Sequence, residues 1–373
     1  MKKIAKISVI LAAMFFAFSF AGCKSDDSDS SDDVTDVTIS GSSSENNTSN
    51  DSGNDSSGNN SGTSSDSTSG GTSSGGNDTG DSSGSDSSSS GSNSEQIPED
   101  FMKIPAISIT GTESWIPKSE VFISGRVLEI SSFYMSDHEV TRAEYKAVVG
   151  EINPNSVIMF DKDGNELSDN EAENNPVTTI NWYDAIVYCN KRSMKENLTP
   201  CYTISGSKNP SDWGAVPTSN DSTWAAVTCD FTANGYRLPT EAEWEWAARG
   251  GENYKYAGSD TINDVAWCTG NTYGTRDVKT KKPNGYGLYD MTGNVNEWCW
   301  DFHEYTISID TPATGKSSGF TPGAVPMRCL RGGGWHEAID SFYYIYDRQR
   351  YYPYYRDDTD NADYGFRIVR SAK

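Results

Sequence analysis

The stretch GYRLPTEAEWEWAARGG, residues 235–251, is the clearest structural signal in the chain. Thr240 followed by Glu243 three positions later has the spacing of a capping box, which predicts that a helix begins here. Trp244 and Ala248 recur at helical spacing, so the helix packs by one face. The closing Gly-Gly pair predicts where the helix ends.

Upstream of this stretch the sequence predicts a mixed entry of strands and helices. Short alternating apolar runs predict strands, at 122–124, 127–130 and 133–135. Thr141 predicts the N-cap of a short helix. A second helix follows from four residues at helical spacing, which are Trp182, Ala185, Ile186 and Cys189.

Downstream, the residues favour turns over periodic elements. Residues 283–298, PNGYGLYDMTGNVNEW, are rich in Gly and Asn and predict a tightly turned, hydrogen-bonded loop. An Arg-Gly-Gly run opens at Arg331, and a Gly-Phe-Arg run opens at Gly365.

Taken together, these blocks resemble the formylglycine-generating-enzyme (sulfatase-modifying factor) family. The resemblance covers about Ile130 to Arg370 and rests on motifs in one order, namely EVT at 139–141, PV at 176–177, RLPTEAEWE at 237–245, the loop from Gly287 to Trp298, RGG at 331–333 and GFR at 365–367. It implies an α+β domain with a C-type lectin fold of the formylglycine-generating-enzyme type, poor in regular structure and spanning residues 101–373.

The resemblance also identifies what catalysis would need. Enzymes of this family use two cysteines shortly after the Arg-Gly-Gly run, and soft thiolates suit their copper(I). Those positions are Glu337 and Phe342, and the last cysteine of the chain is Cys329. A relative using non-heme iron would need a histidine cluster, and the chain has only three histidines, His138, His303 and His336. We therefore expect no catalysis and no catalytic cofactor, with a formylglycine-generating or related oxidoreductase activity as the less favoured alternative.

The resemblance implies one structural calcium ion in the 283–298 loop. Its ligands would be Asp290 and Glu297 through carboxylates and Gly293 and Val295 through carbonyls. The alternative is a loop held by its own Asn and Gly turns without an ion.

The segment between Trp335 and Tyr364 has an unusual composition. It holds eight of the 20 tyrosines of the chain and six aspartates. A packed core rarely holds so many phenols and carboxylates, because each needs a buried partner, whereas exposed Tyr and Asp make an antibody-like contact surface. We predict a ligand-binding face made by His336, Asp340, Tyr344, Tyr346, Asp347, Tyr351, Tyr352, Tyr354, Tyr355, Asp357 and Asp358.

The same vocabulary has a genetic interpretation. Asn codons mutated only at adenines can yield Tyr, Asp, His, Ser and Ile or stay Asn, and these residues match the segment. Diversity-generating retroelements vary the C-terminal end of C-type lectin folds in this way. The segment 335–364 is therefore predicted to be a variable region; the alternatives are a constant adhesin or a fixed loop with a chance tyrosine bias.

The N-terminal part predicts export and a lipid anchor. Residues 1–22 have the basic start and apolar run of a signal peptide, which ends in a lipobox-like FAGC with Cys23 as the lipidated residue. Residues 23–100 form a stalk predicted to be disordered, which carries 16 acidic residues and one basic residue. The domain would thus stand on an extracellular stalk, with the bacterial outer membrane as the expected location.

Charge and cysteine content narrow the partners. The net charge of −23 disfavours a nucleic-acid partner and favours basic patches on a protein or other surface ligand. Six cysteines remain beyond Cys23, without a C-x-x-C motif. We expect most of them to be buried thiols, although an exported protein could pair them.

Overall fold

A computed structural model describes residues 97–151, 158–315, 325–356 and 362–372. The predicted signal peptide, Cys23 and nearly all of the predicted stalk lie outside these residues, as do Asp357 and Asp358. None of the described helices is long and apolar enough to cross a membrane.

Five α-helices are present in the described residues, and three of them begin with a capping box. They are α1 Arg142–Val149, α2 Trp182–Lys195, α3 Ser222–Ala225, α4 Glu241–Arg249 and α5 Ile262–Val265. The caps of α1 and α4 are the predicted Thr141 and Thr240, and Asn181 caps α2. Helix α4 ends at Gly250 in the left-handed conformation, with φ of 61°, as the Gly-Gly pair predicts.

Fifteen short strands surround the helices in the described part of the chain. They are β1 Phe101–Ile104, β2 Ile107–Ile109, β3 Leu128–Ile130, β4 Phe133–Ser136, β5 Met159–Phe160, β6 Glu166–Leu167, β7 Tyr202–Thr203, β8 Thr228–Cys229, β9 Tyr236–Arg237, β10 Thr275–Arg276, β11 Asn296–Phe302, β12 Arg328–Arg331, β13 Gln349–Tyr351, β14 Tyr364–Gly365 and β15 Val369–Ser371.

Two four-stranded sheets organise the domain. One has the order β1-β4-β15-β9, and the other has the order β13-β12-β11-β14. The second sheet carries the tail, because β13 pairs antiparallel with β12 and β14 pairs parallel with β11. The remaining strands form a three-stranded sheet and two two-stranded ribbons.

One strand prediction and one loop prediction need correction. Residues 122–124 are not a strand, because the chain turns at Gly125, whose φ is 81°. The predicted 283–298 loop ends earlier than expected, since β11 begins at Asn296 and the motif continues into the sheet.

The apolar core has two large parts. One surrounds α2, where Trp182 and Tyr188 are fully buried against Trp298 and Phe366. The other surrounds α4 and includes Trp244, which is also fully buried. The tail sheet contributes to both parts, because Leu330 belongs to the first and Cys329 to the second.

A charged cluster lies inside the second part, and we call it the α4 ion network. It comprises Glu241, Glu245, Arg249, Arg331 and Arg348. Arg331 bridges both glutamates, at 3.0 Å to Glu241 and 2.9 Å to Glu245. Each member is at most 9% exposed, so the charges are satisfied by one another instead of by water.

Candidate ligand-binding face

The tail is fixed to α4 at its first half. Arg348 makes two hydrogen bonds to Glu241, of 2.7 and 2.8 Å, and a third of 2.9 Å to the carbonyl of Glu304. Arg331 donates to the carbonyl of Ile345 at 2.6 Å. The backbone on either side of Asp347 is thus held by the α4 ion network.

The second half of the tail is fixed to α2. The guanidinium of Arg356 bonds both carboxylate oxygens of Asp184 at 2.7 Å each. The backbone N–H of Trp182 donates to the carbonyl of Pro353 at 3.1 Å. Asn181 donates its side-chain amide to the carbonyl of Tyr354 at 3.2 Å. These bonds use Arg, Pro and backbone groups, and leave the tyrosine side chains to other contacts.

Between these anchors lie the residues predicted to bind a ligand. We call the described ones the tail face, which comprises His336, Asp340, Tyr344, Tyr346, Asp347, Tyr351, Tyr352, Tyr354 and Tyr355. Asp340 is exposed and the other eight are partly buried. Asp357 and Asp358 lie outside the described residues and stay predictions.

A first aromatic group lies around Asp340. Its carboxylate accepts hydrogen bonds from Lys255 at 3.0 Å, from the Tyr256 hydroxyl at 2.9 Å and from the Tyr344 hydroxyl at 3.2 Å. The Tyr344 ring contacts Tyr256 and Tyr346, with centroids 5.8 and 5.3 Å apart. These contacts pre-arrange the rings, which lowers the entropy lost when a partner binds.

A second aromatic group lies at the other end of the tail face. The rings of Tyr351 and Tyr355 have centroids 4.3 Å apart, and Tyr352 stacks on Tyr354 at 5.5 Å with an interplanar angle of 13°. Tyr364 contacts both Tyr351 and Tyr355. Only Tyr351, Tyr354 and Tyr364 of this group also pack against the α2 core.

A polar centre lies around Glu337. Glu337 accepts hydrogen bonds from Asn296 at 2.9 Å and from Gln349 at 3.0 Å. His336 pairs with Asp363 at 3.1 Å. Burial raises the pKa of Asp347 to about 6, with Glu120 and Glu337 acting in the same direction and Arg331 opposing them.

The structure changes the expected exposure of the tyrosines. We expected an exposed surface, but every tyrosine of the tail face is partly buried, and Tyr351 and Tyr354 contact the core. The physical reason is mutual ring packing, which covers aromatic area that water would otherwise contact. The tyrosines of this face that lie outside the core clusters are Tyr346, Tyr352 and Tyr355, and Asp340 is the exposed residue among the nine.

The positions that the resemblance assigns to the enzymes' two cysteines hold a glutamate and a phenylalanine. Glu337 occupies the polar centre described above, with two amide donors on its Oε1. Phe342 is partly buried in the single-turn 3₁₀ helix Asp340–Tyr343. Neither residue offers the thiolate pair that copper(I) favours.

The predicted calcium ligands are only partly suited to an ion. Asp290 is buried, and its Oδ2 accepts the N–H of Lys279 at 2.7 Å. Its Oδ1 has no hydrogen-bond partner among the described residues, and burial raises the pKa of Asp290 to about 6. An unpartnered, buried carboxylate oxygen is what a hard cation would use.

Glu297 does not fit the same ion in this arrangement. Both of its oxygens are bonded by Arg367, at 2.7 to 2.9 Å, and one also accepts the Trp244 indole N–H at 2.7 Å. Gly293 and Val295 were predicted to bind the ion through their carbonyls. Their N–H groups donate within the protein, that of Gly293 to the carbonyl of Gly332 and that of Val295 to the carboxylate of Glu139. Among the described residues, no group of three His, Cys, Asp or Glu side chains is arranged to hold a metal.

Several residues of the site were missed by the sequence analysis. Lys255 and Tyr256 bond Asp340 across about 85 positions of chain, Asn181 holds Tyr354, and Gln349 reaches Glu337. No local pattern marks them, because each contact joins segments that are distant in sequence.

The six cysteines in the described part of the chain are all thiols, and five of them are buried. This agrees with the expectation of buried thiols. Cys229 is partly buried.

Comparison with known proteins accounts for the fold and motifs described above. The model of the sulfatase-modifying factor enzyme 1-like domain matches residues 106–372, which is most of the chain. The chain belongs to this family. A formylglycine-generating enzyme of Streptomyces coelicolor is 32% identical over 167 residues, covering 40% of this chain and 51% of that enzyme.

A longer match is found with another relative. The chaperone protein LppX of Paenibacillus barcinonensis is 35% identical over 269 residues, which cover 66% of this chain and 83% of LppX.

Two solved structures share the fold. Treponema denticola variable protein 1 has a TM-score of 0.59 and 34% identity, and covers 73% of this chain and 95% of its own. CarF has a TM-score of 0.53 and 25% identity, and covers 74% and 99%. These likenesses confirm the mixed α+β, formylglycine-generating-enzyme-like fold, which is consistent with the predicted C-type lectin type.

Proposed function

We propose that this family member is a surface-displayed lipoprotein that binds ligands through the tail face, and that retroelement mutagenesis diversifies this face. The observation that carries the proposal is the division of labour within the tail. Arg348, Pro353 and Arg356 hold the backbone, while the Tyr, Asp and His residues of the tail face, which lie on both sides of Arg348 in the sequence, contact one another and solvent.

This division fits the adenine-derived vocabulary. Arg and Pro, which occupy the anchor positions, each need changes at both adenines of an Asn codon. Tyr, Asp and His, which make up the tail face, each need a change at only one adenine. The likeness to Treponema denticola variable protein 1 supports the same interpretation, since its name describes a variable protein.

Recognition would rest on aromatic area and directional carboxylates. The partly buried tyrosine rings offer rigid contact surface at low entropic cost, and Asp340 and Asp347 orient basic groups of a partner. The partner is a protein or another surface ligand with basic patches, because the chain is strongly acidic.

Sequencing the 3′ end of the gene in a clonal culture and in sibling isolates tests diversification. We expect substitutions at adenine positions of the tail-face codons and none at the codons for Arg348, Pro353 and Arg356. A near-copy template should lie close to the gene. An invariant tail without a template would refute diversification and favour a constant binding lipoprotein.

We propose that the chain does not act as a formylglycine-generating enzyme. No cysteine follows Cys329 in the sequence, and Glu337 and Phe342 cannot supply a thiolate pair. Purified protein given copper(I) and a sulfatase-type cysteine peptide should leave the thiol unchanged. Aldehyde formation in that assay would restore the enzyme alternative.

A constant chaperone-type lipoprotein is a second candidate. The specific observation in its favour is the match to LppX, which its name describes as a chaperone protein. A chaperone also binds a protein partner, so the tail face would serve both functions. The two candidates differ in one observable, which is whether the tail varies among isolates.

Export and anchoring complete the proposal. Residues 1–22 would be removed, Cys23 would carry acyl chains, and the stalk would hold the domain away from an outer membrane. Metabolic labelling with a clickable fatty acid should mark the wild-type protein and leave Cys23→Ala unlabelled. Labelling of both would contradict lipidation at this residue.

We keep the calcium site as a proposal centred on Asp290. If an ion binds there, adding 1 mM Ca²⁺ in place of a chelator should raise the melting temperature of the wild type, and Asp290→Asn should remove most of the rise. An unchanged melting temperature would favour the ion-free loop, held by the Arg367–Glu297 pair.

A further inference from the structure

A cysteine pair lies at the base of a polar segment that the binding proposal does not use. Strands β7 and β8 pair antiparallel, with Tyr202 opposite Cys229. Cys201 directly precedes β7, and its carbonyl accepts the N–H of Asp230 at 2.9 Å. The ladder therefore continues by one residue, and places Cys201 and Cys229 one step apart on adjacent strands.

This separation is within reach of a disulfide. Adjacent strands lie about 5 Å apart and a residue advances about 3.4 Å along a strand, so the two Cα atoms fall inside the range of about 4.4–6.8 Å that disulfides require. The Cys201 thiol donates to the carbonyl of Gly235 at 3.4 Å, and it also interacts with the Cys229 thiol.

The surroundings differ for the two thiols. The hydrogen bond with Cys229 lowers the pKa of Cys201, and the nearby guanidinium of Arg237 acts in the same direction. Burial raises the pKa of Cys229, yet Cys229 is the one cysteine of the six that is partly accessible. One thiol is thus reachable from solvent and the other is the better thiolate.

We propose that Cys201 and Cys229 form a disulfide in the exported protein. This inference rests on the proposed export, because oxidising compartments preserve disulfides. The oxidant is the disulfide of an extracytoplasmic thiol oxidoreductase. The Cys229 thiol, which is the accessible one, loses its proton as its sulfur attacks this disulfide. The attack forms a mixed disulfide and releases one oxidoreductase thiol. The Cys201 thiolate then attacks the Cys229 sulfur and releases the second thiol, so two electrons and two protons pass from the cysteine pair to the oxidant.

The disulfide would restrain the segment between Cys201 and Cys229, which contacts the same asparagine as the tail face. It closes a loop made by the residues between the two cysteines, which include the polar segment 203–222. The side-chain amide of Asn181 donates both to the carbonyl of Pro217 in this segment, at 3.0 Å, and to that of Tyr354 in the tail, at 3.2 Å. A crosslink at its base therefore limits motion of a neighbour of the second aromatic group.

The other cysteines provide a contrast. Cys299 and Cys329 also lie on paired strands, β11 and β12, and their thiols donate to the Glu297 carbonyl at 3.9 Å and the Glu241 carboxylate at 3.3 Å, as the Cys201 thiol does to the Gly235 carbonyl. Accessibility is what separates the two pairs. Cys299 and Cys329 are both fully buried, so an external oxidant has no access to them. Cys268 is also buried and serves as a control position.

Mass spectrometry of the full chain tests the pairing. Protein taken from intact cells is acid-quenched, denatured and alkylated without reductant. We expect one linked peptide pair joining Cys201 and Cys229, and alkylated Cys189, Cys268, Cys299 and Cys329. A different linkage, such as Cys299–Cys329, would overturn the proposal.

A second arm separates the pairing from export. Full-length protein purified in reductant is incubated with oxidised glutathione. We expect the same linked pair, and a melting temperature that rises by about 5 to 10 °C. The rise should disappear in Cys229→Ser and in Cys201→Ala and persist in the matched control Cys268→Ser.

The two arms give distinguishable failures. If oxidised glutathione leaves both thiols free, the pairing itself is overturned. If the purified protein forms the bond but protein from cells is reduced, the pairing is confirmed and the proposed export is overturned.

Discussion

Two arginines of the α4 ion network, Arg331 and Arg348, lie on the same stretch of chain as the tail face. The network and the tail face nevertheless use polar groups in opposite ways. Arg331 and Arg348 are buried, and each bonds a buried glutamate. Asp340 is 58% exposed at its side chain and bonds Lys255, which is also accessible. Buried ion pairs tolerate little change because an unpaired charge has no water to replace its partner, whereas exposed pairs contribute little to stability.

The comparison separates the residues that hold this segment in place from the residues that form its surface. The residues that fix the backbone point inward to α2 and α4. The residues of the tail face contact mainly one another. Stability and recognition should therefore be separable by mutation, and the following changes test this from the largest expected effect to the smallest.

Arg331→Met should have the largest effect. It leaves Glu241 and Glu245 without a shared cation in a buried site, so the free energy of unfolding should fall by about 3–5 kcal/mol. Chemical denaturation measures this loss. A loss below about 1 kcal/mol would mean that the network is not needed to hold the tail; Lys255→Met, at an exposed pair, is the matched control.

Arg356→Met should have an intermediate effect. Its two bonds to Asp184 are good in geometry, but its side chain is 25% exposed, so we expect a loss of about 1–2 kcal/mol. The loss should be confined to the second half of the tail. Hydrogen exchange of residues 351–355 should rise, while that of 340–346 stays unchanged; a uniform rise would contradict independent anchoring.

Replacing Tyr352 and Tyr355 by Ala should weaken ligand binding at least tenfold and lower the unfolding free energy by about 1 kcal/mol or less. Neither ring packs against the core, while rigid aromatic anchors often dominate binding energy. Replacing Tyr351 and Tyr354, which do pack there, is the comparison pair and should cost more stability. Equal stability losses in both pairs would contradict the separation.

Asp347→Asn should have the smallest effect and a specific pH dependence. The folded-state pKa of about 6 lies above the ordinary value of 3.8, so the favourable contribution of Asp347 is complete below pH 4 and is lost as the pH rises through 6. The variant should be more stable than wild type by about 1 kcal/mol at pH 7.5 and no more stable at pH 4. Thermal unfolding at both pH values measures this, and an equal gain at both would contradict the raised pKa.

Local patterns predicted the frame of the fold well. The caps at Thr141 and Thr240 and the apolar faces of α2 and α4 depend on residues a few positions apart, so the sequence displays them directly. The family resemblance supplied the order of these parts. Residues 122–124 failed as a strand because alternation cannot reveal the turn that Gly125 imposes.

The candidate site was only partly predictable. Composition marked the tail segment, but it could not show that Tyr351 and Tyr354 lean on the core. It also could not show that Glu241 and Glu245 face inward, because charged helix residues usually face water. The inward orientation of the glutamates depends on partners that lie 86 to 107 positions away in the chain.

The spacing of the anchors has a consequence for evolution. When the residues that keep a protein folded are interleaved with those that meet a partner, mutation of the second set yields mostly folded offspring. A lineage can then explore new partners without losing many molecules to misfolding. If the tail varies as proposed, Arg348, Pro353 and Arg356 would therefore set the fraction of new variants that still fold.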